Sequence, residues 1–107
     1  NIIITGAKGE EEIAKEIIKN MKNKKAIIAV GKLNLKQFGA LLKKARLLIS
    51  IDTASVHLAS AFGIPTIVLN AKYPKIWHPW MEKNKYKLLT NPKVNEVLKA
   101  SSELLKK

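Results

Sequence analysis

Residues 47–69 read LLISIDTASVHLASAFGIPTIVL, and the fold turns on how this stretch is read. Leu47 to Ile51 is an apolar run, Asp52 and Thr53 make a polar turn, Ala54 to Phe62 has the length of a short helix ended by Gly63, and Thr66 to Leu69 is a second apolar run. The pattern predicts a strand, a crossover helix and a parallel strand. Neither run alternates strongly, as expected for strands covered by helices on both faces of a parallel sheet. Asp52 then stands at the carboxyl end of a central strand, where open α/β sheets hold their ligands. Thr53 and His57 are one helical repeat apart, so they share a face beside Asp52 at the positive end of the helix dipole. Between them, Ala54 and Ser55 are small enough to let a ligand reach the uncapped N–H groups. A carboxylate, a hydroxyl, an imidazole and backbone N–H groups in one small volume suit a phosphorylated ligand. The plain alternative is structural: Asp52 or Thr53 caps the helix, and His57 is a half-buried residue satisfied by a neighbour.

Outward from this unit the chain alternates strands and helices. Ile2 to Thr5 predicts a strand, broken by the segment from Gly6 to Gly9. From Glu10 the period becomes helical, with Ile13, Ile17, Ile18 and Met21 in one stripe, acids in the first turn and lysines near the end. Ala26 to Val30 is a second strand, stopped by Gly31. Asn34 can cap a helix with Leu35, Phe38, Leu41, Leu42 and Ala45 on its apolar side. Gly39 weakens that helix by about 1 kcal/mol relative to alanine, which points to a close packing partner. After residue 69 come a polar and aromatic loop (residues 70–85), a last strand from Tyr86 to Leu89, and a helix opened by Asn91 and Pro92 with Val94, Val97, Leu98, Leu104 and Leu105 inward. The order predicts a Rossmann-like α/β domain over residues 1–107, with a doubly wound parallel sheet of about five strands in three layers.

Composition narrows the function classes. There are 107 residues, enough for one core and small for a complete two-substrate enzyme. With no cysteine, disulfides, thiolate metal sites and thiol catalysis are excluded. No run approaches the roughly 18 apolar residues of a membrane span, and no signal peptide pattern is present. The chain opens on Asn1 and passes straight into Ile2, Ile3 and Ile4, which suggests a domain excised from a longer protein. Twenty basic against 8 acidic residues give a net charge of +12, but Arg46 is the only arginine. Bidentate base readout favours arginine, and the few aromatics do not interleave with the lysines, so nucleic acid is not the expected partner. A solvated lysine-rich surface is the plain account of the charge; attraction to an anionic membrane surface is the alternative.

Beyond the central unit, Glu10 is either a helix-dipole carboxylate or a partner for ribose hydroxyls at a strand's carboxyl end. Leu33 is placed for a base or for the core. The Tyr73 to Trp80 loop is a packed cover or a substrate lid. No P-loop, nucleophile elbow or metal-ligand spacing occurs, and His57 and His78 make a poor pair.

The pattern D-T-x-x-x-H followed by L-A-x-A-x-G-x-P-T-I-x-L, with the IIITGA strand, the E-E-E helix start, K-L-N-L and L-L-K-K-A-R-L-L-I-S-I-D, resembles glycosyltransferase family 9. These are the heptosyltransferases that add heptose to the lipopolysaccharide inner core, and the likeness covers nearly the whole chain. It implies the C-terminal, donor-binding half of a two-domain GT-B enzyme that is inverting and metal-independent, with an ADP-heptose-like nucleotide-sugar as substrate and no cofactor. It also implies an N-terminal domain that supplies the catalytic base, a lipid-linked acceptor at the membrane surface, and a cytoplasmic location peripheral to the inner membrane. By this resemblance Asp52, Thr53, Ala54, Ser55 and His57 hold the diphosphate and sugar, Glu10 the ribose, and Leu33 the adenine. Ala54 and Ser55 stand where the family usually has glycine and often proline, and Asn70-Ala71-Lys72 replaces a glycine-rich segment. A nucleotide-sugar epimerase half and a stand-alone nucleotide or anion-binding module are the rival readings.

Overall fold

The computed structural model describes residues 1–22, 25–51, 53–70 and 82–106. Its elements run β1 (Ile2–Ile4), α1 (Glu11–Lys19), β2 (Ala26–Ile28), α2 (Leu35–Lys43), β3 (Leu48–Ile51), α3 (Ala54–Phe62), β4 (Thr66–Leu69), a 3-10 turn (Lys83–Lys85), β5 (Tyr86–Leu89) and α4 (Val94–Leu105). The alternating α/β order and the parallel strands are those expected. Hydrogen bonding divides the strands into a two-stranded sheet, β1–β2, and a three-stranded sheet in the order β3–β4–β5, both parallel throughout. The chain correspondingly falls into two compact units, Asn1–Phe38 and Gly39–Lys107.

In the second unit α4 packs on β4 and β5. Ile67 forms a buried cluster with Ala100 and Leu104, flanked by Leu47, Leu69 and Leu89. Thr66 and Val68, also fully buried, point to the opposite face of the same strand. That face belongs to α3, which contacts β3 and β4 and buries Val56 and Ala59. Thus β4 is covered on both sides, as its unbroken apolar run anticipates.

Burial departs from expectation at the margins. β3 ends its sheet, and α4 is centred on β4 and β5, so Ile49 and Ile51 stay exposed on one face. In α4 the inward stripe is Val97, Ala100 and Leu104, whereas Val94 and Leu98 are 77% and 64% exposed and Leu105 is also exposed. Those three lie about 100° around the helix from the buried stripe, which a helix of 3.6 residues per turn separates cleanly. The α1 stripe shows the same offset: Ala14 is buried, while Ile13 and Ile17 are exposed.

Two helix starts contrast. Asn34 caps α2 as expected, in a reciprocal box: the Gln37 N–H donates to Asn34 Oδ1 at 2.8 Å and the Asn34 N–H to Gln37 Oε1 at 2.9 Å. Asn91 does not open α4. Its φ of +44° is left-handed, the helix begins at Val94, and Glu96 reaches back to accept from the Lys93 N–H at 3.1 Å. Gly63 ends α3 at φ +69°, with the Ile64 N–H bonded to the Ala59 carbonyl at 2.9 Å.

Gly39 is buried, and a Cβ there would lie 3.8 Å from Leu58 Cδ2 and 3.9 Å from Phe62 Cε2. These are ordinary contact distances within a helix, so an alanine would fill the space without displacing either neighbour. Gly39→Ala is therefore expected to raise stability by about 0.5–1 kcal/mol in urea unfolding. A loss of stability would show that the packing at this face is tighter than these distances allow.

Candidate functional site

Because every strand pair is parallel, each sheet has one carboxyl edge, and the loops on it can be taken unit by unit. In the first unit the ladder continues past the strands: the Ala29 N–H donates to the Ile4 carbonyl at 2.8 Å and the Gly31 N–H to the Gly6 carbonyl at 2.9 Å. This ties the β1–α1 loop, which carries Glu10, to the loop after β2, which leads to the half-buried Leu33. Glu10 is the N-cap residue of α1, and its carbonyl accepts the Ala14 N–H at 3.3 Å, but its side chain caps nothing in the helix. Its Oε1 accepts the Ala7 N–H at 2.6 Å and would stand 2.9 Å from a Cβ placed on Gly6. The exposed carboxylate is thus folded back onto its own loop, with Oε1 engaged there.

Glu11 fastens the same loop. The Gly9 N–H donates to Glu11 Oε2 at 2.9 Å. Hydrogen bonds from the backbone N–H groups of Glu11 itself and of Gly9 hold its carboxyl below the ordinary 4.5, against a small opposing effect of burial. A folded-state value below the unfolded one stabilises the loop at pH above the ordinary carboxylate range, and the contribution is lost as pH falls through the depressed value. Amide hydrogen exchange at Gly9 should therefore quicken, relative to other exposed amides, only below that ordinary range. Protection unchanged down to the acid-unfolding limit would contradict the assignment.

In the second unit Thr53, Ala54, Ser55 and His57 lie together at the amino end of α3, on the carboxyl edge of β3. Asp52, expected at the head of this group, lies outside the described residues, as do Ala71, Lys72 and the Tyr73 to Trp80 loop. Thr53 takes the N-cap position with extended backbone, φ −137° and ψ 177°, yet its side chain makes no capping bond. Its Oγ1 instead meets Ser50 Oγ at 3.3 Å. The Val56 N–H is taken by the Thr53 carbonyl at 3.0 Å, while the N–H groups of Ala54 and Ser55 make no hydrogen bond to a described residue. His57 is exposed, on the side of α3 away from the buried Val56, Ala59 and Ser60. Thr53 therefore supplies no side-chain cap, and the His57 side chain is exposed where half-burial was the alternative. Ala54 is helical, and the non-glycine residues with positive φ are Asn70 and Asn91 among those described, so its methyl introduces no left-handed strain.

Asn70 follows β4 at φ +55°, the backbone conformation a glycine would favour, which asparagine tolerates better than most residues. Its N–H donates to the Leu89 carbonyl at 2.6 Å, and its Oδ1 accepts the Asn91 N–H at 2.5 Å. The pair clasps the carboxyl ends of β4 and β5 beside a cavity of ≈ 610 Å³ lined by Leu69, Pro92, Val94 and Leu98 as well as the two asparagines. Sequence reasoning missed this clasp. Each asparagine reads locally as a turn residue, and nothing in the spacing links them.

The arrangement offers a helix start whose first N–H groups have no partner among the described residues, a hydroxyl and an exposed imidazole, donors suited to an anion. Among the described residues no helix is long and apolar enough to cross a membrane, and no three His, Asp or Glu gather to hold a metal.

Over 82 residues the chain is 29% identical to lipopolysaccharide heptosyltransferase 3 of Escherichia coli, a match covering 74% of this chain and 24% of that enzyme. Its fold is that of the E. coli ADP-heptose lps heptosyltransferase II structure, with a TM-score of 0.85 at 17% identity over 99% of this chain and 36% of the other. The chain thus spans well under half the length of either protein. The sequence profile of glycosyltransferase family 9 (heptosyltransferase) matches residues 1–106, and by that match the chain belongs to this family.

Proposed function

We propose that residues 1–107 act as one Rossmann-like donor-binding domain of an inverting, metal-independent glycosyltransferase. The donor is a nucleotide-diphospho-sugar of the ADP-heptose kind, and the whole protein works in lipopolysaccharide core synthesis, cytoplasmic and peripheral to the inner membrane. The observation that carries this reading is the amino end of α3, where the Ala54 and Ser55 N–H groups have no hydrogen-bond partner among the described residues and His57 is exposed on the carboxyl edge of β3. Family membership supports the reaction class, and the names of the E. coli relatives support the donor. Helix dipole and imidazole offset the charge that grows on the departing diphosphate, the part a divalent ion plays elsewhere. Asp52 and Thr53 complete the diphosphate and sugar contacts. The nucleoside end falls to Glu10 and Leu33.

Calorimetric titration tests the reading. ADP should bind more tightly than AMP, and a chelator should leave the ADP affinity unchanged. Equal affinity for AMP would remove the diphosphate from α3.

The chain alone is expected to transfer no sugar. An inverting transfer needs a base within about 3 Å of the acceptor hydroxyl. Of the eight carboxylates, five are engaged elsewhere: Glu10 with the Ala7 N–H, Glu11 with that of Gly9, Glu96 with that of Lys93, Glu12 with Lys15 and Glu103 with Lys87. Asp52 is assigned to the donor, and Glu16, within α1, and Glu82, ahead of β5, do not stand at the carboxyl edge of β3. Base and acceptor wall belong to a further domain of the protein, so the proximity contribution is missing as well. Incubation with ADP-heptose and a lipid A core acceptor should release no ADP above the buffer rate. Robust turnover would relocate both the base and the domain boundary.

A further inference from the structure

The amino edge of the three-stranded sheet is built unlike its carboxyl edge. The segments entering β3 and β5 carry Lys43, Lys44 and Arg46, and Lys83 and Lys85, against Glu82 alone in those segments. Two of these ammonium groups lie at the carboxyl end of α3: Lys43 Nζ sits 4.8 Å from the centroid of the Phe62 ring, and Lys85 Nζ lies 3.8 Å from where a Cβ on Gly63 would be. Lys44, Arg46 and Lys83 are exposed. The ion pairs among the described residues, Lys15–Glu12 and Lys87–Glu103, leave the whole group out. Service to the carbonyl end of α3, which has no basic residue in its own last turn, accounts for Lys43 and Lys85. It does not account for Lys44, Arg46 and Lys83, which are exposed.

We infer that this edge is a docking surface for an anionic lipid bilayer. Five cations on one edge, none of them in an ion pair with a described residue, fit the diffuse negative potential of such a surface, which attracts lysines without demanding a fixed geometry. Four of the five are lysine, and the aromatic rings beside them among the described residues, Phe62 beneath Lys43 and Tyr86 after Lys85, are half-buried, so the edge offers neither bidentate forks nor an open stacking platform for nucleic acid. Since the strands are parallel, the amino end of α3 lies on the opposite edge and stays open when this one is covered. The inference rests on the peripheral membrane placement proposed above, to which it gives a surface, and not on what α3 binds.

Co-sedimentation with vesicles of phosphatidylglycerol and phosphatidylcholine in equal parts, against vesicles of phosphatidylcholine alone, tests it. The chain should bind the anionic vesicles only, and the binding should fade as salt shortens the Debye length below about 10 Å. Substituting K43Q, K44Q, K83Q and K85Q together should weaken binding roughly 600-fold, at roughly fivefold per lysine. The set K15Q, K19Q, K36Q and K99Q lowers the net charge equally and should cost far less. Because Lys43 and Lys85 lie against Phe62 and Gly63, the double variant K44Q/K83Q guards against misfolding; it should lose roughly 25-fold with an unchanged melting curve. Equal losses from the two quadruple sets, or equal binding to neutral vesicles, would overturn the inference. Tighter capture of a single-stranded RNA through the same lysines would overturn it in favour of a nucleic acid.

Discussion

His57→Ala is expected to weaken ADP binding by about 1.5–3 kcal/mol, one to two orders of magnitude in Kd, while the fold is retained. The magnitude is that of a charge-assisted hydrogen bond to a phosphate oxygen. Retention of the fold follows from position: His57 is exposed, and α3 buries Val56, Ala59 and Ser60 instead, so truncation opens no core cavity. The N–H groups of Ala54 and Ser55 survive the substitution, so binding should weaken and not vanish. Calorimetry with ADP, paired with thermal unfolding of both proteins, separates the outcomes. A lowered melting temperature with unchanged affinity would return His57 to a structural role. An unchanged affinity at unchanged stability would remove it from the diphosphate altogether.

Gly31→Ala should be the most damaging of the glycine substitutions, costing roughly 2–5 kcal/mol. Two effects add. At φ +69° an alanine pays about 1–2 kcal/mol for the left-handed conformation. Its Cβ would also lie 3.1 Å from Lys8 Cα and 3.3 Å from Glu11 Oε1. The first neighbour is backbone and cannot swing away, so overpacking adds about 1–3 kcal/mol. For a domain of this size the melting temperature should drop by roughly 10 °C or more. The strain falls where the Gly31 N–H holds the Gly6 carbonyl, so the loop bearing Glu10 and Glu11 should loosen too, with faster amide exchange at Ala7 and Gly9. Gly31→Ala melting like the parent would mean that this loop moves aside freely. The opposite sign expected at Gly39 comes from the same two criteria, φ and the nearest atom.

What the sequence by itself determined is local. The strand, helix and strand between Leu48 and Leu69 lie within a residue of their expected limits, because hydrophobic runs, the break at Asp52–Thr53 and the left-handed stop at Gly63 are each set by neighbours in the chain. Asn34 was legible for the same reason, since its partner Gln37 is three residues away. The grouping of Thr53, Ala54, Ser55 and His57 follows from helical spacing alone.

Tertiary structure decided the rest. Val94 and Leu98 are as apolar as Leu104, and only the seat of α4 on β4 and β5 selects Ala100 and Leu104 for burial. Glu10 could have faced its helix or solvent; the turn at Ala7 draws one oxygen into its own loop. Asn91 has the residues of a helix start, N-P, yet Asn70, twenty-one positions earlier, holds its N–H and the chain there turns left-handed. A sequence pattern reports period and capping within a few residues. Which apolar stripe is covered, and which turn residues meet across two strands, depends on register between segments far apart in the chain, and that exists only once the sheet has formed.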